Sequence, residues 1–370
     1  MDPIPTESNS APCAADQHRL LLSGLDSLFV GYYLDPVGSK LDFDDLTYQQ
    51  ALRQEDRALA YEPIRLGSRE FLLRPHGGHP YKFVIYDEDF EIRFTERMQP
   101  NFYVRFLSKG LWLKGVGQLE NDLKDFFGSL RLNPLREEGV SRADWAFDYH
   151  LTNPDFKIEH FVSKAKKDNV WRSDGEVETL TFGKGDTVVR VYDKVVEIEQ
   201  QSDKSWFHQL WDRKTEVWRI EVQARRERLK VGGIDTLRDL HDLSADLLRE
   251  VLRGHTTLRA PSGDSNRSRW PLAPLWQNLL GVIDQLPQTG LVAAYDPATE
   301  LDYRIAKHTQ AVYGNLKHLA ALHGIKTRKG AQITLEDLLA ALPGYAGPYH
   351  SPDEWTQEVA RKIKAVEAGK

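Results

Sequence analysis

A single cysteine, Cys13, stands in 370 residues. One thiol excludes a disulfide framework and the Cys-rich zinc modules, and it fits a reducing, cytoplasmic compartment. No apolar run approaches the roughly 20 residues of a bilayer-spanning helix, so no membrane partner is expected. The opening stretch, MDPIPTESNSAPCAAD, is acidic and polar, unlike a signal peptide, and residues 1–18 read as a disordered tail. Also missing are a Walker loop, a Rossmann glycine pattern and a nucleophile-elbow serine. A helicase activity within the chain is therefore not expected. Nor is there an excess of positive charge: 49 Lys and Arg against 55 Asp and Glu give a net charge of −6. That balance argues against a protein that coats DNA non-specifically. It leaves room for a site-specific enzyme, whose affinity depends on local patches.

Such patches are present. Residues 219–230, RIEVQARRERLK, hold five cations against two acids, and Arg253, Arg259, Arg267 and Arg269 fall within residues 253–270. Three segments alternate as half-buried strands do. In Thr187 to Lys194, one face carries Val188, Arg190, Tyr192 and Lys194. In Ser141 to His150, Ala143, Trp145, Phe147 and Tyr149 form an apolar face opposite Arg142, Asp144, Ala146, Asp148 and His150. In Glu216 to Arg226, Val217, Arg219, Glu221 and Gln223 lie opposite Trp218, Ile220 and Val222. This is the pattern of an antiparallel sheet with helices on one face and an open working face on the other. On that open face Asp144, Asp148 and Glu221 are hard oxygen ligands suited to Mg²⁺ or Mn²⁺ rather than zinc. A phenol flanked by Arg190 and Lys194 suits a nucleophile for a phosphodiester, since cations favour the phenolate and bind phosphate oxygens. Arg142, Arg219, Arg225 and Arg226 are the expected DNA contacts.

These three segments resemble a known family. RADWAFD is similar to the R-x-D-x-A-x-D strand of the replication initiation factor (Rep_trans) family of rolling-circle initiators. TLTFGKGDTVVRVYDK resembles that family's hairpin ending in Y-[DN]-K, and WRIEVQARR its R-x-E strand; order and spacing are similar over roughly residues 80–255. The resemblance implies an endonuclease fold of the HUH type without its His pair, since HGGH at residues 76–79 has the wrong spacing. It implies Tyr192 as the nicking tyrosine, Lys194 as the motif lysine, Asp144 and Glu221 as metal-binding acids, and Asp148 as a third ligand. Attack by Tyr192 would release a 3′-hydroxyl and hold the cut strand as a 5′-phosphotyrosine. That chemistry initiates rolling-circle replication of a plasmid or a filamentous-phage-like element. A conjugative relaxase and a non-catalytic DNA-binding regulator on the same fold are the alternatives. The implied partners are single-stranded or hairpin origin DNA, a host helicase and a single-strand-binding protein, with a homodimer compatible.

The expected organisation is α+β. An N-terminal α+β part spans residues 19–135, with a helix from DFDDLTYQQALRQ and hairpins turning near Asp87-Glu88-Asp89 and Ser108-Lys109-Gly110. The amphipathic helix GQLENDLKDFFGSL carries Leu119, Leu123, Phe126 and Phe127 on one stripe. The nicking region covers 136–258, with a helix over about Pro154 to Lys167 and a hairpin at Lys184-Gly185-Asp186. A Pro/Gly/Ser-rich linker occupies 259–271. Residues 272–370 form a helical C-terminal domain, read either as a helix-turn-helix-like DNA reader or as a plain bundle.

Overall fold

The computed structural model describes residues 18–152, 154, 157–173, 175–202, 204–285, 297–347, 349 and 351–367. Nearly all of the tail expected over residues 1–18 lies outside them. The chain divides into two units, Met1–Ala294 and Tyr295–Lys370.

The first unit is α+β, built on an eleven-stranded sheet. Its strands are β1 (Arg19–Tyr32), β2 (Pro63–Leu66), β3 (Arg69–Leu73), β4 (Phe83–Tyr86), β5 (Phe90–Phe94), β6 (Phe102–Phe106), β7 (Gly139–His150), β8 (Asp168–Ser173), β9 (Glu176–Phe182), β10 (Thr187–Asp193) and β11 (Val217–Arg225). Their spatial order is β8-β9-β10-β11-β7-β1-β6-β5-β4-β3-β2, antiparallel at every pairing. The long strands β1 and β7 sit at the centre and join an N-terminal half to the half bearing the three sequence motifs.

Helices pack on one face of the sheet's central strands. Helix α1 (Phe43–Glu55) starts at Asp42, whose carboxylate accepts from the backbone of Asp44 and Asp45. Two further helices follow, α2 (Ser108–Leu113) and α3 (Gly115–Ser129). Leu119, Leu123, Phe126 and Phe127 of α3 are all buried, and Phe126 and Phe127 lie against the rings of Phe71, Tyr32 and Phe102. The other half is covered on this side by α7 (Leu237–Glu250) and α8 (Pro274–Asp284), which follow the short α4 (Lys194–Glu197), α5 (Phe207–Trp211) and α6 (Arg226–Val231). Trp276 of α8 is fully buried and donates its indole N–H to Leu252 O at 2.8 Å. Truncation at Trp276 (Trp276→Ala) should cost about 3–5 kcal/mol, read as a lower urea midpoint with unchanged slope.

Local chemistry explains the differences from the sequence reading. The Asp87–Asp89 hairpin forms, but residues 108–113 make helix α2 instead of a second turn. There Leu111 is buried and the indole of Trp112 reaches Asp26 at 2.9 Å. The helix expected over Pro154 to Lys167 is replaced by a short helical turn at Ile158–His160 and a strand, Phe161–Ser163, paired to Thr256–Leu258. The β9–β10 hairpin forms as expected. Gly183 holds φ at 101°, and a Cβ there would come within 2.3 Å of Thr187 O, so this position requires glycine. Residues 259–271 are no interdomain linker: Arg259 bridges to Leu272, and α8 beyond them belongs to the first unit's core. The division falls near residue 294 because α8 buries its apolar stripe under the sheet.

The second unit is helical, with α9 (Pro297–Thr327), α10 (Leu335–Ala346) and α11 (Pro352–Glu367). His323 Nδ1 and Tyr345 Oη lie 2.7 Å apart, joining α9 to α10. Thr334 and Asp337 form a capping box at the start of α10, and Ser351 caps α11. No described helix is long and apolar enough to cross a membrane.

Candidate active site

Strands β10, β11 and β7 bring the three motifs side by side. Arg190 lies opposite Glu221, Tyr192 opposite Arg219, Gln223 opposite Asp144, and Arg219 opposite Asp148. Alternation sends all of these side chains to one face. Tyr192 Oη donates to Glu221 Oε2 at 2.9 Å, and Arg190 Nη1 donates to Glu221 Oε1 at 2.7 Å. The other guanidinium nitrogen of Arg190 reaches Gln223 Oε1 at 3.2 Å. Next to this group, Arg142 holds Asp144 through Nε at 2.9 and 3.1 Å and Nη2 at 2.5 Å.

The electrostatics follow from burial. Tyr192 is 7% exposed. Burial pushes its phenol well above the ordinary range, and the charge of Glu221 adds to this, against the pull of Arg219. At neutral pH the phenol therefore keeps its proton and offers it to Glu221. Burial likewise raises the Asp144 carboxyl to about 6; Arg142 opposes the shift and the charge of Glu221 reinforces it. Gln223 is buried with its amide nitrogen unpartnered. Asp144, Glu221 and Gln223 bring oxygen donors to one face, the donor type that Mg²⁺ or Mn²⁺ takes, but each is held by an arginine: Asp144 by Arg142, and Glu221 and Gln223 by Arg190. Among the described residues, no cluster of three His, Cys, Asp or Glu side chains is placed to share a metal ion.

Asp148 is not available to such an ion. It is fully buried and accepts from Arg219 Nε at 2.6 Å, Arg219 Nη2 at 2.8 Å and Trp211 Nε1 at 2.9 Å. Arg219 also donates to Asp26 Oδ1 at 2.8 Å and is wholly inaccessible, so it holds the core of the site together and is no DNA contact. Around Asp26, Trp112 Nε1 and Ser108 Oγ donate at 2.9 and 2.8 Å, and Lys204 lies at 3.3 Å. Burial would raise the Asp26 carboxyl, but the charges of Arg219, Lys204 and Lys194 outweigh it and hold the group far below its ordinary value.

The expected open face is thus partly closed. At the Tyr192 end, Val195, Ile198, Phe207, Trp211 and Val217 form a second apolar core over the strands. Lys194 is 1% exposed and pairs with Glu197; its Nζ lies 5.7 Å from the Tyr192 ring centroid and does not bond the phenol oxygen. Arg190 is turned to Glu221. The two flanking cations therefore do not hold a phenolate. A carboxylate, Glu221, accepts the phenol's hydrogen bond instead. Arg226 donates to Val140 O at 2.8 Å and pairs with Asp235, fastening α6 to the sheet. Arg225 is exposed, and with Lys167, Lys184, Arg190 and Gln223 it lines a groove of about 580 Å³ beside the site. Asp26, Trp112, Trp211 and Lys204 were not foreseen: each reaches the site from a distant part of the chain. Gln223 shares the alternation of Glu221 and was legible as a neighbour, though not as a donor.

No family model and no curated protein matches the sequence. Among solved structures, the chain is similar to one described as the structure of a rolling circle replication initiator protein from Geobacillus stearothermophilus. The two are 21% identical over 73% of this chain and 98% of that one, with a TM-score of 0.41. So loose a likeness assigns no residue a role.

Proposed function

We propose that this chain cuts a DNA strand and later rejoins it through a covalent link between Tyr192 and a 5′-phosphate, initiating rolling-circle replication. The observation that carries the reading is the 2.9 Å hydrogen bond from Tyr192 Oη to Glu221 Oε2. It pairs a nucleophile with a base at the reach that general-base catalysis requires. As Oη attacks phosphorus, Glu221 takes the phenol proton, the P–O3′ bond breaks, and the 3′-oxygen leaves protonated by solvent. One phosphodiester is exchanged for another, so a 3′-hydroxyl can reverse the step without an energy source. Once Glu221 carries the phenol proton its hold on Arg190, 2.7 Å away, weakens, and Arg190, which lines the cationic groove, would turn to the non-bridging oxygens. A divalent cation held by Asp144 and Glu221, with Gln223 as a further donor, would supply the positive charge that lets an anionic centre accept an anionic nucleophile. Lys167, Lys184 and Arg225 would carry the phosphates of the flanking strand. The motif resemblance adds single-stranded or hairpin origin DNA as substrate, with a separate helicase and single-strand-binding protein. A conjugative relaxase would use the same chemistry.

The 7% exposure of Tyr192 favours one other reading, a DNA-binding regulator with a silent site. Incubation with single-stranded DNA and Mn²⁺ separates the two. The nicking reading expects a denaturation-resistant protein–DNA adduct that Tyr192→Phe abolishes, whereas a silent site gives no adduct and tolerates that substitution. The metal assignment has its own test in thermal melts. At 100 times its dissociation constant, Mn²⁺ should add about 2.7 kcal/mol to the wild type. The double variant Asp144→Asn, Glu221→Gln should show no such shift; an equal shift there would place the ion elsewhere.

A further inference from the structure

We infer that the N-terminal half of the sheet carries a platform for single-stranded DNA on the face shared with Tyr192 and Asp144. This inference rests on the proposed DNA-strand transfer and names where the uncut strand would lie. The platform is centred on Phe29 of β1. In register, Phe29 pairs with Arg142 on one side and Arg105 on the other, Tyr103 pairs with Arg93, and Glu91 with Arg105. Arg142, Phe29, Arg105 and Glu91 therefore form one row crossing β7, β1, β6 and β5, with Tyr103 and Arg93 in the next row on the same face. The guanidinium groups of Arg142 and Arg105 lie 5.2 and 5.4 Å from the Phe29 ring centroid, and the Tyr103 ring is 6.0 Å from it.

Three features fit a single strand. First, charge is left over. Glu91, the carboxylate within this row, is buried and already takes Arg74 at 2.8 Å and Arg93 at 2.7 Å. Arg105 is exposed and makes no ion pair among the described residues. Second, aromatic rings alternate with cations, the combination that holds a backbone while bases stack. A paired base offers no face to such a ring, so duplex DNA would gain only the phosphate contacts. Third, the row runs into the site: Arg142 touches Phe29 with one face and holds Asp144 with its nitrogens. A strand stacked on Phe29 would be led to the Asp144–Glu221 pair from the side opposite the Lys184–Arg225 groove.

The test uses the full chain and a fluorescein-labelled oligodeoxythymidylate of about 16 nucleotides, read by anisotropy. Arg105→Ala should weaken binding about tenfold and lower the slope of log affinity against log salt by about 1. Phe29→Leu should weaken binding about five- to tenfold with the salt slope unchanged. Lys124→Ala, on α3 behind the sheet, should bind as the wild type does. Wild-type affinity in both Arg105→Ala and Phe29→Leu overturns the platform, as does an equal loss for a duplex of the same length. Tyr192→Phe keeps the two readings apart. Strand binding that depends on Arg105 and Phe29 without any adduct in the wild type would sink the nicking reading alone. Adduct formation with indifferent platform variants would sink the platform alone.

Discussion

Replacing Glu221 with Gln is expected to lower strand cleavage by a factor of about 10²–10⁴ and to leave strand binding nearly unchanged. Gln keeps the size of the side chain and an oxygen that can accept from Tyr192 Oη, now 2.9 Å away, but it cannot take the proton. Arg190 would lose a charged partner at 2.7 Å. Because that guanidinium is 29% exposed, water replaces much of the lost pairing, and the cost to stability should stay within about 1 kcal/mol. The contrast between cleavage and binding is the diagnostic. A substitution that damaged the sheet would reduce both together, and equal losses would reassign Glu221 to structure.

The second large effect concerns Arg219. Its substitution by Met should destabilise the fold by about 3–5 kcal/mol, because Asp148 would be left in a dry interior without a cation and Asp26 would keep only Lys204 at 3.3 Å as a bonded cation. Asp148 is fully buried and bound by Arg219 at 2.6 and 2.8 Å, and Asp26 is bound at 2.8 Å. Against a typical total of about 5–15 kcal/mol, that loss is large enough to read directly in urea. A second substitution, Asp148→Asn, should recover part of it by removing one uncompensated charge. The pH dependence has a definite sign. Asp26 is held far below its ordinary value of 3.8, so the stabilisation it contributes is complete above that value and fades as the pH falls below it. Arg219→Met should flatten this acid limb. A cost under about 1 kcal/mol, or an unchanged acid limb, would mean that the cluster does not hold the site.

Much of the site was legible because alternation of period two survives in any antiparallel pairing. Tyr192 and Arg190 share a face of their strand, as do Asp144 and Asp148 of theirs, and the β10–β11 and β11–β7 register brings Glu221 and Gln223 to that same face. The sequence could not show how each charge would be used. Asp144 and Asp148 look alike in the strand, four residues apart, yet one faces Gln223 and the other faces Arg219 under the indole of Trp211. That difference depends on helix α5, which packs over one end of the strand only. Lys194 likewise reads as a partner of Tyr192 at i+2, but the strand ends at Asp193 and Lys194 opens a helix, which turns its ammonium to Glu197. The apolar faces were simpler. The stripe of α3 and the inner faces of β7 and β11 follow from spacing alone, whereas α2 required the knowledge that Trp112 and Ser108 would reach Asp26. The basic composition of residues 219–230 suggests a surface patch. The fold instead buries Arg219, uses Arg226 as a brace and leaves Arg225 to the groove.

The most direct test of the account is the identity of the residue joined to DNA. Wild-type protein treated with single-stranded DNA and Mn²⁺, digested and sequenced by mass spectrometry, should yield one nucleotide-bearing peptide. It should contain Tyr192, linked through its phenol oxygen to a 5′-phosphate, with a free 3′-hydroxyl on the released strand. A link at any other residue, a 3′-phosphate at the protein, or cleavage without a covalent intermediate would contradict it.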